Sequence, residues 1–168
     1  PGYTIHSTVG NIVYYRSTGL INASAQDAQQ AFASGFGAEV MSIDNASDNA
    51  LYLDVQTTTG SWVVVPLNDV ASEGTFVWAN GNPVVYTNWQ VGEPNNAGDE
   101  DYVQLVSGPN QWNDRVDFAG IYVLKFVQSP ATITQTDLTG FSNGSTFPVG
   151  TTTLEYTATD DSGNTDVC

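Results

Sequence analysis

The chain has 168 residues, enough for one good-sized domain and part of a second, and 40% of them are hydrophobic, so it can bury a core. Its 18 acidic and 3 basic residues give a net charge of −15, which argues against binding to nucleic acid or anionic membranes because both are negatively charged. With one cysteine, Cys168, and one histidine, an intrachain disulfide is excluded and a zinc cluster lacks ligands. No segment is apolar over the length needed to cross a membrane, and the Thr-, Ser-, Asn- and Gly-rich composition is typical of a secreted or surface-displayed module.

The first residues predict a pair of strands and then a helix. Residues 3–16 alternate in polarity enough for a strand pair. Ser24 and Asp27 have the spacing of a capping box that opens a helix over about residues 24–34, and glycines at 35 and 37 end it. The residues expected on its buried face are Ala28, Ala31 and Phe32.

A second helix is expected over about residues 48–56, after a short strand at residues 41–43. Either Asn45 or Ser47 supplies its cap, and Leu51 and Val55 face inward.

Short strands dominate beyond residue 60. They are expected at residues 62–65, a buried strand that begins with Trp62, and at residues 76–78, 102–105 and 121–124. Asn80-Gly81 is a strong turn signal. The last two strands bracket residues 112–114, which we place on a strand beside a loop.

That loop carries a concentration of oxygen donors. Glu93-Pro94-Asn95 and Trp112-Asn113-Asp114 flank the acidic run Asp99-Glu100-Asp101, and the chain has no Lys or Arg between Arg16 and Arg115. Carboxylate and amide oxygens are ligands of calcium, and carboxylates without a counter-ion repel one another unless a cation lies among them. The first triplet alone fits a surface turn, but the three blocks together predict a calcium site.

Two features of this segment have more than one interpretation. Trp89 and Trp112 could stack on a sugar, but they are better explained as core anchors of the flanking strands. Asp99 could equally be an acidic loop residue without a ligand role or a calcium ligand.

The donor blocks resemble those of C-type lectins, the calcium-dependent sugar-binding domains, in which the same blocks recur in this order. The resemblance implies an α+β fold with two helices and mixed antiparallel strands, and a cis peptide bond between Glu93 and Pro94. It implies that one calcium ion, which also binds two sugar hydroxyls, is held by Glu93, Asn95, Glu100, Asn113 and Asp114.

A second calcium site is also implied by the resemblance. Residues 68–74 look like the family segment that contributes to it. Carried over residue by residue, its ligands are Asp69, Glu73, Asn96, Glu100 and Asp101.

The chain departs from the family pattern in places. Most members carry two disulfides, whereas here Tyr102 stands at one cysteine position, and Val116 or Asp117 and Leu124 stand near others. Packing must replace the disulfides, with Tyr102 and the tryptophans as candidates. Pro66 stands where the family often has a small residue, which leaves the local strand geometry open.

The composition shifts after Phe126, and residues 128–168 resemble the second half of a HYR module, an immunoglobulin-like repeat of large surface and adhesion proteins. An immunoglobulin-like sandwich needs about 100 residues, so this short all-β segment is expected to be a fragment within a larger parent protein. Residues 160–164 fit a polar turn better than a calcium site. We therefore expect a lectin-like domain at residues 1–127 and a partial HYR-like segment at 128–168.

The sequence fits three classes of function unequally. The resemblance favours a calcium-dependent carbohydrate-binding module of a secreted or surface protein, and Glu93-Pro94-Asn95 implies sugars of the mannose, fucose and glucose type. The alternative is a calcium-stabilised adhesin domain that binds a protein or another surface. An enzyme is disfavoured, because a glycosidase needs two carboxylates of unlike pKa across a cleft and the acids here cluster too tightly.

Overall fold

The computed structural model describes residues 2–106, 108, 110–130, 132–142, 144–159 and 165–168. The run at residues 160–164, interpreted above as a polar turn, lies outside these residues. The chain divides into two compact units, Pro1–Val127 and Gln128–Cys168.

Among the described residues, the first unit has two α-helices and ten strands. In chain order these are β1 (Tyr3–Val9), β2 (Ile12–Ser17), β3 (Ile21–Asn22), a 3₁₀ turn (Ala23–Ala25), α1 (Gln26–Ser34), β4 (Ala38–Val40), α2 (Ala46–Thr59), β5 (Val64–Asn68), β6 (Val77–Trp78), β7 (Tyr102–Val106), β8 (Gln111–Arg115), β9 (Ala119–Gly120) and β10 (Val123–Val127).

The strands form antiparallel sheets. One sheet has the order β1-β2-β10-β4, the second has the order β6-β5-β7-β8, and β3 pairs with β9. Two helices with antiparallel sheets confirm the predicted α+β class. No helix of the described residues is long and apolar enough to span a lipid bilayer.

The N-terminal caps of the two helices show where local sequence signals predict the structure and where they do not. Helix α2 is capped by Asn45, whose side-chain oxygen accepts hydrogen bonds from the backbone N–H groups of Ser47 and Asp48, one of the two caps predicted. The capping box predicted for α1 is wrong. Ser24 instead donates from its backbone and side chain to the carboxylate of Asp117, which is 93 residues away in the sequence.

The predicted buried face of α1 is also wrong, since Ala28, Ala31 and Phe32 are exposed. The inward face instead carries Gln26, Gln30 and Ala33, at helical spacing. Gln26 is hydrogen-bonded to Asn68, and the Gln30 side chain accepts from the backbone N–H of Val40. Hydrogen bonding therefore lets two polar residues lie on the inward face of the helix, which the hydrophobic pattern did not predict.

Three strand predictions need correction. The strand expected at residues 121–124 lies at Val123–Val127 instead. The strand expected at residues 41–43 lies at Ala38–Val40 instead, although Met41, Ser42 and Ile43 are buried. The strand expected at residues 62–65 begins only at Val64, and Trp62, predicted to be buried, is 48% exposed. Pro66 lies inside this strand, where the pairing with β7 shifts register between Val65 and Asn68.

The buried side chains form two clusters. The first surrounds Trp112 and Tyr52, and the second surrounds Tyr122 and includes Leu124. Tyr102, at a family cysteine position, packs against the second cluster. Asp117, near another such position, binds Asn22 and Ser24 by hydrogen bonds. Packing and polar contacts thus occupy the places of the missing disulfides.

The second unit contains a three-stranded antiparallel sheet of β11 (Thr132–Gln135), β12 (Tyr156–Thr159) and β13 (Thr165–Val167) in that order. Cys168 is exposed and free, and its backbone pairs with Tyr156. The Asp137 carboxylate accepts hydrogen bonds from the side chain of Thr139 and the backbone of Glu155, which lowers its pKa.

Candidate functional site

A long loop between Trp89 and β7 carries most of the predicted ligands, and its base is fixed by tryptophan packing. Trp112 is fully buried and lies edge-on to Trp89, with ring centroids 5.7 Å apart. Its indole N–H donates to Asn49 on α2 at 2.7 Å. Trp89 also packs against the first core cluster. The two tryptophans are therefore core anchors, as the sequence analysis favoured.

Asp114 joins strand β8 to this loop. Its side chain is almost wholly buried (1% exposed), and its two carboxylate oxygens accept from the backbone N–H groups of Asn95 and Asn96 at 3.1 and 2.8 Å. The Glu93–Pro94 peptide bond, just before them, is cis, as the resemblance implies. These contacts bring the first and last donor blocks together although about twenty residues separate them in the sequence.

Two buried oxygen atoms of these blocks have no hydrogen-bond partner. They are Oε2 of Glu93 and Oδ1 of Asn113. A buried polar atom without a partner costs free energy of about 1–3 kcal/mol, so such atoms are rare in native structures. Both atoms are acceptors, and a cation that prefers oxygen would satisfy them. The residues present therefore fit the calcium ion that the donor set predicts.

Glu100 and Asn96 lie beside this group and shape the loop. Asn96 has a left-handed backbone, with φ of 49°, and its side chain accepts from the backbone N–H of Glu100 at 2.6 Å. The N–H of Ala97 is shared between the side chains of Asn95 (2.8 Å) and Glu100 (3.1 Å). Asn95 and Glu100 thus converge on one backbone group.

A second group of acids joins the end of this loop, at Asp99 and Asp101, to the loop between β5 and β6, which carries Asp69 and Glu73. Carboxylate oxygens of Glu73, Asp99 and Asp101 all lie within 4.8 Å of one another. Asp69 is 1% exposed, with one carboxylate oxygen accepting from the N–H of Gly74 at 2.8 Å and the other buried without a partner. This group brings together three of the five residues implied for the second calcium site.

The membership of the second group differs from the implied set in two respects. Among the described residues, the three-carboxylate cluster contains Asp99, which the sequence left undecided, and does not contain Glu100. Asp99 has φ of 70° and follows Gly98 with φ of 92°. Consecutive left-handed residues turn the chain so that Asp99 faces Asp101, a geometry that the acidic run alone did not reveal.

The pKa shifts of the acids fall into the same two groups, one around Glu93 and the other around Glu73 and Asp101. Desolvation, and then the neighbouring Asp114 and Glu100 carboxylates, raise the pKa of Glu93. Desolvation, and then Asp99 and Asp69, raise the pKa of Asp101. Desolvation followed by Asp69 likewise raises the pKa of Glu73. A raised pKa means that each carboxylate loses solvent and gains like-charged neighbours on folding, a condition that a bound cation relieves.

These pKa shifts predict opposite pH dependence with and without calcium. Because the folded-state pKa values lie above the unfolded ones, the folded state binds more protons between them, and its stability falls as pH rises through that window. In chelator, the melting temperature is expected to rise as pH is lowered from neutrality toward the ordinary carboxylate pKa of about 4. In saturating calcium it is expected to fall, because protons compete for the ligands. Thermal melts across this pH range measure this, and the same trend in both conditions would contradict it.

Comparisons with known proteins agree with this fold. The Lectin C-type domain family matches residues 21–121, and the HYR domain family matches residues 121–168. The protein "Alpha-N-acetylgalactosamine-specific lectin" of Patiria pectinifera is 33% identical over 121 residues, which cover 68% of this chain and 71% of that protein. "Low affinity immunoglobulin epsilon Fc receptor" of Mus musculus is 37% identical over 92 residues, but these cover 54% of this chain and only 27% of the receptor.

Solved structures are similar too. The structure titled "Structure of EPNH mutant of CEL-I" matches with a TM-score of 0.62 and 25% identity, over 71% of this chain and 92% of that one. CEL-I from Cucumaria echinata matches with a TM-score of 0.61 and 23% identity, over 70% and 91%, which shows a common fold. The fold and the family match define a C-type lectin domain. The chain belongs to the C-type lectin family, and its residues 121–168 match the HYR domain family.

Proposed function

We propose that residues 1–127 form a calcium-dependent carbohydrate-binding domain of a secreted or cell-surface protein. The observation that carries this proposal is the pair of buried, unpartnered acceptors, Glu93 Oε2 and Asn113 Oδ1, beside an Asp114 that fixes the backbone of the Asn95 loop. The named relatives are lectins and receptors, which supports binding rather than catalysis.

The proposed sugar site uses Glu93, Asn95, Asn113 and Asp114, with Glu100 beside them. A calcium ion held there would supply positive charge to two neighbouring sugar hydroxyl oxygens. Each hydroxyl can also donate to a carboxylate such as Glu93 and accept from an amide such as Asn95. The spacing and direction of these groups select the orientation of the hydroxyl pair.

The second acidic group is proposed to hold a stabilising calcium ion. Its ligands are Asp69, Glu73 and Asp101, with Asn96 and Glu100 implied by the resemblance and Asp99 added by its position in the carboxylate cluster. Because Asp69 is buried with one unpartnered oxygen, this group also fits a cation. Its role is to keep the loop in the binding conformation.

The proposed specificity is for sugars of the mannose, fucose and glucose type. It rests on the order of Glu93 and Asn95 in the sequence. The Patiria relative is named for N-acetylgalactosamine, a sugar of the galactose type, so the specificity needs a direct test. Galactose differs from mannose in its axial 4-hydroxyl, which presents the hydrogen-bonding groups to Glu93 and Asn95 in a different arrangement.

Exchanging the two residues tests this specificity. The double variant Glu93→Gln, Asn95→Asp keeps the charge sum and the number of oxygen ligands but exchanges donor and acceptor roles. Affinity for methyl mannoside and fucose is expected to fall about tenfold or more, with a small gain for galactose, because an interchanged hydrogen-bond pair leaves groups unsatisfied. Competition by the three sugars in excess calcium measures it. A wild type that prefers galactose would overturn the proposed specificity.

A calcium-stabilised adhesin domain is the second candidate. The HYR match at residues 121–168 and the net charge of −15 favour it, since the resemblance associates HYR modules with adhesion proteins. It predicts that calcium stabilises the fold while monosaccharides do not compete for the ligand.

A further inference from the structure

Asn49 on helix α2 is a buried polar residue whose side chain reaches the start of strand β8. It is 2% exposed. Its Oδ1 accepts a hydrogen bond from the indole N–H of Trp112 at 2.7 Å, and its Nδ2 donates to the backbone carbonyl of Asn110 at 2.8 Å. An indole N–H only donates and a carbonyl only accepts. A side-chain amide therefore satisfies both partners, which neither a carboxylate nor an apolar side chain of the same size can do.

Trp112 joins the first and last donor blocks of the proposed sugar site. Its backbone N–H donates to the carbonyl of Asn88 at 2.8 Å, and its carbonyl accepts from the N–H of Gln90 at 2.9 Å. The carbonyl of Gln90 in turn accepts from the N–H of Glu93 at 3.0 Å. Trp112 is thus bonded through Gln90 to Glu93, and it directly precedes Asn113 in the chain.

The turn that leads into β8 is held by two side-chain amides. The carbonyl of Asn110 accepts from Nδ2 of Asn88 at 2.7 Å as well as from Asn49. Asn110 has a left-handed backbone, with φ of 55°, a conformation that costs free energy in a residue other than glycine and persists where the surroundings support it. Asn49 therefore fixes the start of β8 at two points, the turn and the indole ring.

Helix α2 gives this contact a firm base, whereas the ligand loop lies at the surface. Tyr52 and Val55 of the helix are fully buried in the first core cluster, and the hydroxyl of Tyr52 donates to the carbonyl of Met41. Residues 91–100 of the loop are exposed or only partly buried. The position of the loop therefore depends on the hydrogen bonds at its ends.

We propose that Asn49 is a positioning residue of the sugar site: it holds Trp112 and, through Trp112, keeps Glu93 and Asn113 in place as ligands. The proposal rests on the proposed function. Glu93 and Asn113 carry the buried acceptors without a partner, so a displacement of either would weaken the binding of a cation between them. Loss of a residue that orients metal ligands costs about 10–100-fold in affinity.

The variant Asn49→Leu tests this role, because it removes both hydrogen bonds with little change of side-chain volume. Calcium affinity is measured by calorimetric titration without sugar, and sugar affinity by competition with methyl mannoside in excess calcium. Both are measured at a temperature at which melting curves show each variant to be folded. Both affinities are expected to fall about tenfold or more. A purely structural role would lower the melting temperature and leave the affinities of the folded protein unchanged.

The matched control is Gln56→Met. Gln56 is also a buried amide on α2, but its Nε2 donates to the carbonyl of Leu105 on β7 at 3.2 Å. The substitution removes a buried hydrogen bond from the same helix without touching Trp112 or Asn110. Its calcium and sugar affinities are expected to equal those of the wild type, whatever its melting temperature.

A second variant, Trp112→Phe, removes the indole N–H and keeps an aromatic ring in the core. Alone it is expected to weaken both affinities. Combined with Asn49→Leu it should add little, because the two substitutions break the same hydrogen bond and their effects are then not additive. It also carries the test if Asn49→Leu does not fold.

The outcomes separate this proposal from the one on which it rests. If either variant folds and keeps both affinities, if Gln56→Met lowers them as much, or if the effects of Asn49→Leu and Trp112→Phe simply add, the role assigned to Asn49 is wrong and the proposed function stands. If the wild type binds neither calcium nor methyl mannoside, both proposals fail.

Discussion

Removal of calcium is expected to lower the melting temperature of the lectin domain by on the order of 10 °C. An ion that binds only the folded state at 100 times its dissociation constant contributes about 2.7 kcal/mol, and each kcal/mol shifts the transition by roughly 3–5 °C in a domain of this size. Without the ion, the buried oxygens of Glu93, Asp69 and Asn113 are left without partners. Thermal unfolding in calcium and in chelator measures the difference.

Two controls belong with this experiment. Magnesium is not expected to replace calcium, because it requires a smaller octahedral site and retains its water. Asp54→Asn removes one exposed carboxylate on α2, whose partner is His6, and should leave the calcium-dependent shift unchanged. A melting curve that chelator does not move would remove the support for both calcium sites.

Asp114→Asn and Asp69→Asn are expected to separate sugar binding from stability. Asp114→Asn removes a carboxylate that is both a proposed ligand and the acceptor for Asn95 and Asn96. Loss of a residue that merely orients a metal ligand costs about 10–100-fold in affinity, so loss of this ligand should weaken sugar binding by about 100-fold or more. Asp69→Asn is expected to act chiefly on the calcium-dependent part of the melting temperature.

Both variants preserve side-chain volume, which keeps the comparison fair at two almost fully buried positions. Sugar affinity and melting temperature are measured for each in saturating calcium. If both variants lose sugar binding and stability in the same proportion, the division of the acids into two sites is incorrect.

The sequence predicted those parts of the fold that depend on local signals. Helix α2 follows from Asn45, a cap whose effect is confined to the next three residues. The existence of α1 was predicted correctly, but its cap and buried face were not, because both depend on distant partners: Asp117 binds Ser24, and Asn68 binds the buried Gln26. Contacts between residues so far apart in sequence cannot be predicted from the hydrophobic pattern.

The same distinction applies to the candidate site. The donor blocks predicted which residues to look for, because oxygen ligands are recognisable by type and order. The blocks alone did not reveal that Asp99 joins Glu73 and Asp101, because this depends on a left-handed backbone at residues 98 and 99. The sequence likewise did not predict that Trp62 is exposed and stacks on Arg115, because a tryptophan followed by a run of valines is typical of a buried strand.

A glycan array probed with the intact chain in calcium and in chelator tests the central claim most directly. The proposal predicts binding to glycans with terminal mannose-, fucose- or glucose-type residues, and loss of all binding in chelator. Binding that persists in chelator, or an array without any sugar ligand in calcium, would contradict a calcium-dependent lectin and favour the adhesin alternative.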